Sequence, residues 1–273
     1  MSVNIHWLGT AGIEMRHGGK AILIDPYISR PGKIDILFKQ LVVNKDAIRH
    51  FLDSIVEKVA AVITGHTHFD HALDIPEIAR VLGCTIIGSS SLDTLLSLSG
   101  LPGRVTVCRP QENINIDDKS TITMIPSAHG LALSRLLLLK GDIRRGSRPP
   151  LRANQYRMGD MFSPKVFFGG ITWIHVGSAG YVAQELEGHQ CDVLLMCVSG
   201  WKKWPAYPEK VIEMLKPSCV IPIHYDDFSI PLPPDRKCRV MHSADLEGFC
   251  KRARNIRPNL EVRRIEPFTE VSM

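Results

Sequence analysis

The sequence lacks the features that would place the chain in a membrane, in a secretory pathway or on nucleic acid. No apolar run approaches the roughly 18 residues of a membrane span, and the first residues show no basic stretch followed by an apolar one. The net charge is only +5, from 33 Lys and Arg against 28 Asp and Glu, and is too small to favour nucleic acid. We therefore expect no signal peptide, no transmembrane segment and a cytoplasmic location.

Paired cysteines are also missing from the sequence. The seven cysteines are odd in number, and no two of them form a Cys-x-x-Cys pair. Most lie in apolar, strand-like runs such as residues 105–108. Buried, reduced thiols in a reducing compartment are therefore the preferred interpretation.

Strand-like and helix-like segments alternate along both halves of the chain. Residues 3–8, 12–16 and 21–24 are predicted to form opening strands, separated by glycine-containing turns. Apolar residues at helical spacing in residues 46–57 predict a helix after them. The pattern predicts an α/β fold, an αβ/βα sandwich of two mixed β-sheets flanked by helices, as a single domain over residues 1–273.

One long stretch, residues 141–163, shows neither pattern. It contains two consecutive prolines and five arginines, namely Arg144, Arg145, Arg148, Arg152 and Arg157. Loops of this length are usually functional or disordered, so we expect a loop or lid insertion here. The preceding residues, 131–139, are mostly apolar. Apolar and cationic character side by side would suit an anionic or amphiphilic small-molecule substrate, but a core strand followed by a solvated loop is the preferred interpretation.

Three histidines and an aspartate crowd into a short turn after an apolar run. Residues 62–65 read Val-Ile-Thr-Gly, and His66, His68, Asp70 and His71 follow at once. Imidazole and carboxylate groups are ligands suited to Zn²⁺, Fe or Mn. So many polar groups at a strand end lose solvation energy unless something binds them. The segment therefore predicts a metal site in preference to a solvated turn.

Further segments accompany this turn. Residues 5–9 and 22–26 are apolar runs that end in Gly and in Asp-Pro, residues 127–130 read Ser-Ala-His-Gly, and residues 220–228 contain His224. Together with His66-x-His68-x-Asp70-His71 they resemble the metallo-β-lactamase superfamily over nearly the whole chain. The opening and closing segments are most similar to the branch that contains ascorbate phosphate lactonase and the N-acyl ethanolamine phospholipase D.

The resemblance implies two metal positions. The first would be held by His66, His68 and His129, and the second by Asp70, His71 and His224. Each set has three protein ligands and leaves room for water, as a catalytic rather than a structural site requires. Asp25 is expected either as a hydrogen-bond partner of a ligand histidine or as a turn-forming residue.

One position departs from the family pattern. Many relatives bridge the two metals with an aspartate from a Gly-Asp-Thr-like turn, whereas Ser178 stands at the corresponding place here. A hydroxyl is a poorer ligand than a carboxylate, so we predict two metal positions of unequal affinity, with the three-histidine position stronger. The predicted catalytic residues are Asp70, Ser178 and Tyr225. Tyr225 would donate to a developing oxyanion, with packing as its alternative role.

Three classes of function are compatible with these residues. The first is a metal-dependent hydrolase that directs a metal-activated hydroxide at an ester, lactone, amide or phosphoester bond. The second is a metal-dependent oxidoreductase, although diiron relatives usually carry Glu at the place of His68. The third is a non-catalytic metal-binding relative. The hydrolase is preferred, with one or two Zn²⁺ ions as cofactor and Mn²⁺ or Fe as alternatives, and the oligomeric state is left open.

Overall fold

The computed structural model describes residues 2–130, 139–232 and 238–273, and these form two mixed seven-stranded sheets. In the order along the first sheet, the strands are β14 (Val271–Ser272), β1 (Asn4–Gly9), β2 (Gly12–His17), β3 (Lys20–Ile24), β4 (Lys58–Ile63), β5 (Thr85–Gly88) and β6 (Val105–Val107). In the second sheet they are β13 (Glu261–Val262), β12 (Cys219–Ile223), β11 (Val193–Cys197), β10 (Ile171–Val176), β9 (Phe162–Phe168), β8 (Ser120–Pro126) and β7 (Asn113–Asp117).

Short helices connect these strands. They are α1 (Lys33–Phe38), α2 (Lys45–Asp53), α3 (Phe69–Ala72), α4 (Ile75–Val81), α5 (Ser90–Leu98), α6 (Ala183–Leu186), α7 (Glu209–Leu215) and α8 (Leu246–Arg254). None of the helices in the described ranges has the length and apolar character needed to cross a bilayer. The expected sandwich of two mixed sheets flanked by helices is confirmed.

Alternate residues of one strand show how the layers pack. In β3, Ile22 and Ile24 belong to the core between the two sheets. Ala21 and Leu23 point the other way and belong to a second core beneath α2, α4 and α5. Successive side chains of a strand face opposite sides of its sheet, so a strand that is apolar on both faces must lie between two layers.

The strand directions bring several chain segments to one edge. In the second sheet, β10, β11 and β12 are mutually parallel, and β8 runs the same way because β9 is antiparallel to both β8 and β10. The segments that leave β8, β10, β11 and β12 therefore emerge on the same side. In open α/β sheets, ligands bind outside the carboxyl ends of such strands.

The stretch 141–163 packs against the helix layer. Ile143, Leu151 and Tyr156 are buried within the core beneath α2, α4 and α5, and residues Ala153–Gln155 form a 3-10 turn. The expected absence of regular structure was therefore only partly right. The apolar run 131–139 lies outside the described residues except for Leu139, so the core strand expected there stays a prediction.

Candidate metal centre

The histidine-rich turn begins where β4 ends. The N–H of Gly65 donates to Oδ1 of Asp25 at 2.7 Å, at the end of the neighbouring strand β3. The carbonyl of Gly65 accepts from the N–H of Phe162 in the second sheet at 2.8 Å. A Cβ on Gly65 would lie 3.2 Å from the carbonyl oxygen of Phe162, so glycine suits this close approach. The turn is thereby anchored to both sheets.

Three imidazole nitrogens meet in the first ligand group. Nδ1 of His68 lies 3.1 Å from Nε2 of His66 and 3.1 Å from Nε2 of His129. A proton on Nδ1 of His68 can form a hydrogen bond with only one of the two neighbouring nitrogens. A single cation, by contrast, can bind the lone pairs of all three nitrogens. Zn–N bonds of about 2.0–2.1 Å at tetrahedral angles separate ligand nitrogens by about 3.3 Å. The spacing and the donor type therefore fit a zinc ion.

The second ligand group consists of Asp70, His71 and His224, whose ligand atoms lie within 4.8 Å of one another. Oδ2 of Asp70 lies 3.3 Å from Nε2 of His224 and 3.7 Å from Nε2 of His71. Nδ1 of His71 donates to Oδ2 of Asp25 at 2.8 Å, which leaves the lone pair on Nε2, facing Asp70. His224 follows β12 in the left-handed region, at φ 57. The second group therefore offers a metal one carboxylate and two imidazoles as ligands.

Burial and neighbouring charges favour the metal-binding protonation states of His66, His68 and Asp70. Burial lowers the pKa of His68 to about 3 and that of His66 well below its usual range. Burial raises the pKa of Asp70, but the charges of His71 and His224 outweigh it and hold the pKa of this carboxyl below its ordinary value. Neutral imidazoles and an ionised carboxylate are the forms that bind metal. At His71, burial lowers the pKa, but the charges of Asp70 and Asp25 outweigh it and raise the pKa, so this imidazole loses its extra proton when a metal binds.

Ser178 lies in the wall of the same cavity as Asp70 and His224. Its Oγ accepts from the N–H of Gly130 at 3.0 Å, next to the ligand His129. The loops after β8 and β10 touch backbone to backbone, since a Cβ on Gly180 would lie 2.3 Å from the carbonyl oxygen of Ala128. Ser178 therefore supports the loop that carries His129 as well as facing the cavity.

The two residues after His224 have structural roles. The hydroxyl of Tyr225 donates to the carbonyl of Ile265 at 3.0 Å, and the side chain is buried away from the cavity. Its expected role as an oxyanion donor is therefore not supported, and packing explains it. Asp226 is buried in an ion pair with Arg30, so this carboxylate is already engaged and does not replace the missing bridging aspartate.

A cavity of about 310 Å³ lies against both ligand groups. Its walls also contain the apolar or aromatic residues Phe69, Leu139, Tyr156, Phe228 and Met241, and the polar residues Ser199, Lys203 and Ser243. Sequence reasoning did not single out Tyr156, which carries no spacing signal. The sequence could have pointed to Lys203, because it lies in the segment after the carboxyl end of β11, where ligands bind in such sheets.

The arginines of residues 141–163 do not line this cavity within the part of the chain that the structure describes. Arg145 lies in a separate depression beside α5, and Nη1 of Arg152 donates to the carbonyl of Phe38 at 3.2 Å. The expected direct contact between these arginines and a substrate is therefore not supported. The stretch contributes Tyr156 to the cavity instead.

Comparison with known proteins agrees with this geometry. Residues 4–224 match the family model described as the β-lactamase superfamily domain, so the match ends at the last ligand. A protein of Pyrobaculum arsenaticum named a metal-dependent hydrolase is 25% identical over 251 residues, which cover 87% of this chain and 92% of that protein.

Solved structures show the same fold. A metallo hydrolase from the hyperthermophilic archaeon Ignicoccus hospitalis has a TM-score of 0.64 at 17% identity, and the alignment covers 100% of this chain and 99% of that one. A diiron β-hydroxylase from Streptomyces venezuelae has a TM-score of 0.64 at 12% identity, covering 99% of this chain and 54% of that one. Fold and site are those of the metallo-β-lactamase superfamily, and the relatives from Pyrobaculum arsenaticum and Ignicoccus hospitalis are named as hydrolases. By its match over residues 4–224, the chain belongs to the β-lactamase superfamily domain family.

Proposed function

We propose that the chain is a zinc-dependent hydrolase that cleaves an ester, lactone, amide or phosphoester bond in a small anionic or amphiphilic molecule. The observation that carries this proposal is the meeting of Nε2 of His66, Nδ1 of His68 and Nε2 of His129 beside a cavity. Three imidazoles with one open position are a donor set of catalytic zinc. A second ion would be held by Asp70, His71 and His224.

The chemistry divides between the metal and the surrounding side chains. The histidines and Asp70 would hold a divalent metal, which would supply hydroxide at neutral pH by lowering the pKa of water to about 7. Asp70 is ionised and lines the cavity, so it accepts a hydrogen bond from the nucleophile and orients it. Burial raises the pKa of Tyr156, which keeps its hydroxyl protonated as a donor to the oxygen that gains negative charge.

The cavity limits the substrate. A volume of about 310 Å³ is at the small end of ligand pockets. Phe69 and Phe228 offer an apolar surface for a hydrocarbon or ring, and Lys203 brings a positively charged residue to the cavity wall. These features support a compact molecule with one apolar part and one negative charge.

Metal analysis tests the proposal most directly. Wild-type protein purified without added metal should contain zinc, and the double variant His66→Ala/His68→Ala should contain little. His50→Ala is the matched control, because His50 is exposed on α2, and it should retain the wild-type metal content. Iron in the wild type would favour an oxidoreductase. Protein that stays metal-free in zinc, iron and manganese would favour a non-catalytic relative.

Hydrolysis assays then distinguish the bond types. The probes are p-nitrophenyl acetate for an ester, a homoserine lactone, a chromogenic β-lactam for an amide and bis(p-nitrophenyl) phosphate for a phosphoester. The zinc-loaded wild type should hydrolyse at least one, and the double variant should hydrolyse none above background. Loss of activity in His50→Ala as well would point to damage unrelated to the metal.

A further inference from the structure

The first helix of the chain turns an apolar stripe toward solvent. No residue of α1 is buried. Ile34, Leu37 and Phe38 lie at i, i+3 and i+4 on one face and are 68–69% exposed, and Val42 just beyond the helix is 69% exposed. Amphipathic helices usually direct such a stripe into the core, and clustered exposed apolar residues mark interaction sites. These four residues are called the α1 patch.

Basic side chains border the α1 patch. Lys33 and Lys39 are more than half exposed, although each contacts one carboxylate. Arg152 donates to the carbonyl of Phe38 at 3.2 Å, and Arg148, four residues earlier, is exposed. Arg152, one of the arginines that do not line the catalytic cavity, therefore joins Lys33 and Lys39 beside the α1 patch and adds positive charge to its border.

The α1 patch also adjoins the catalytic cavity. Nζ of Lys33 lies 3.3 Å from Oδ2 of Asp227, which directly precedes the cavity residue Phe228. On the other side of α1 along the chain, the hydroxyl of Tyr27 donates to the carbonyl of Phe228 at 3.4 Å. A surface bound at the α1 patch would therefore lie next to one wall of the cavity.

We propose that the α1 patch and its basic border dock the protein on an anionic lipid surface. An apolar stripe enters the headgroup boundary while flanking basic residues bind anionic lipids, as in other interfacial helices. A second copy fits less well, because a two-fold interface would bring the basic borders of both copies together. The docking goes beyond the proposed hydrolysis and does not depend on which bond is cleaved.

Vesicle cosedimentation tests the docking. The wild type should bind vesicles of phosphatidylcholine with phosphatidylserine more tightly than vesicles of phosphatidylcholine alone. Leu37→Ser/Phe38→Ser should weaken this binding about tenfold or more, because two large side chains no longer enter the lipid. Arg148→Gln/Arg152→Gln should weaken binding to the anionic vesicles at low salt, where exposed charges are least screened.

A matched control and three contrary outcomes complete the experiment. Val56→Ser changes a side chain that is 91% exposed elsewhere, and it should bind vesicles as the wild type does. The docking would be overturned if the wild type bound neither kind of vesicle. It would also be overturned if Val56→Ser weakened binding as much as Leu37→Ser/Phe38→Ser does. A wild-type dimer that Leu37→Ser/Phe38→Ser dissociates, without vesicle binding, would overturn it in favour of a second copy. The same double variant should keep its metal and its activity on the soluble probe that the wild type hydrolyses, which separates this test from that of the hydrolase.

Discussion

Nδ1 of His71 donates a hydrogen bond of 2.8 Å to Oδ2 of Asp25, whose backbone lies in the left-handed region at φ 45. The other oxygen of Asp25 accepts the N–H of Gly65 at 2.7 Å. One buried carboxylate at the end of β3 therefore orients a candidate ligand and also holds the turn that carries His66 and His68. Partners of this kind determine the tautomer of a ligand histidine.

Asp25→Asn should weaken the second metal position. The asparagine oxygen can still accept from Gly65, but its amide group would face the N–H of His71 and disfavour the tautomer that leaves Nε2 unprotonated. We expect the affinity of the Asp70, His71 and His224 group to fall about 10–100-fold. Stability should also fall by about 1–3 kcal/mol, because the buried N–H of His71 loses its acceptor, although asparagine tolerates the left-handed backbone. Calorimetric zinc titration measures the effect.

The control for this variant is Asp118→Asn, an exposed turn residue, which should titrate as the wild type does. Unchanged zinc affinity in Asp25→Asn would show that Asp25 only supports the turn.

Ser178→Asp should tighten the weaker of two metal-binding steps. The wild type is expected to show two separated steps, because a hydroxyl at Ser178 supplies no anionic oxygen to either metal. An aspartate there restores the missing charge, and its carboxylate can still accept from the N–H of Gly130, as Ser178 does at 3.0 Å. We expect the second step to tighten about tenfold or more, as judged by the effect of one nearby charge in a buried site.

Ser178→Ala separates the two roles of this residue. It removes the acceptor for Gly130 without adding a charge, so it should loosen the loop of His129 and weaken the first step. Equal, tight binding of two zinc ions in the wild type, with no gain from Ser178→Asp, would contradict the prediction.

Glu14 should make the stability of the protein depend on pH. Burial raises the pKa of Glu14, but hydrogen bonds from His6 and Arg16 outweigh it and hold the pKa below its ordinary value. A carboxyl with a depressed folded-state pKa stabilises the fold above its ordinary pKa of about 4.3. That stability is lost as the pH falls through the folded-state value.

The corresponding variant is Glu14→Gln. At pH 7 it should be less stable by about 2 kcal/mol, the usual effect of losing a charge-assisted hydrogen bond, since Arg16 keeps Glu57 as a partner, and the difference should shrink below about pH 4. Glu270→Gln is the control, since the side chain of Glu270 is 52% exposed, and it should lose no more than about 1 kcal/mol. Urea unfolding at several pH values measures both. A difference that is constant with pH would refute the ionic explanation.

Lys203→Met should raise KM for an anionic substrate. Lys203 lines the cavity, so we expect an increase of about tenfold, the effect of one charge-assisted hydrogen bond. Lys202→Met is the matched control, because Lys202 is 62% exposed and pairs with Asp245. Arg145→Gln should also leave KM unchanged, since Arg145 lies beside α5. An increase in KM for Arg145→Gln alone would instead place the substrate on the arginine-rich stretch.

The sequence by itself determined the superfamily, the sandwich fold and the set of candidate ligands. The superfamily follows from the resemblance of its motifs, and the rest depends on local patterns. The continuous apolar run of residues 59–63 predicts a buried strand, now β4, and the polar residues that follow it must lie at a sheet edge. The family and fold are confirmed. Metal binding by the six ligand residues stays a prediction, although the structure brings them into two compact groups.

Only the tertiary structure decided what surrounds those ligands. The hydroxyl of Tyr225 follows a ligand in sequence, yet its partner is the carbonyl of Ile265, 40 positions away along the chain. Tyr156 reaches the cavity from a stretch without any periodic pattern. The spacing of the apolar residues in α1 is typical of a helix that faces the core, yet these residues face solvent. Side-chain partners of this kind are chosen by contacts between distant segments, which local spacing does not encode.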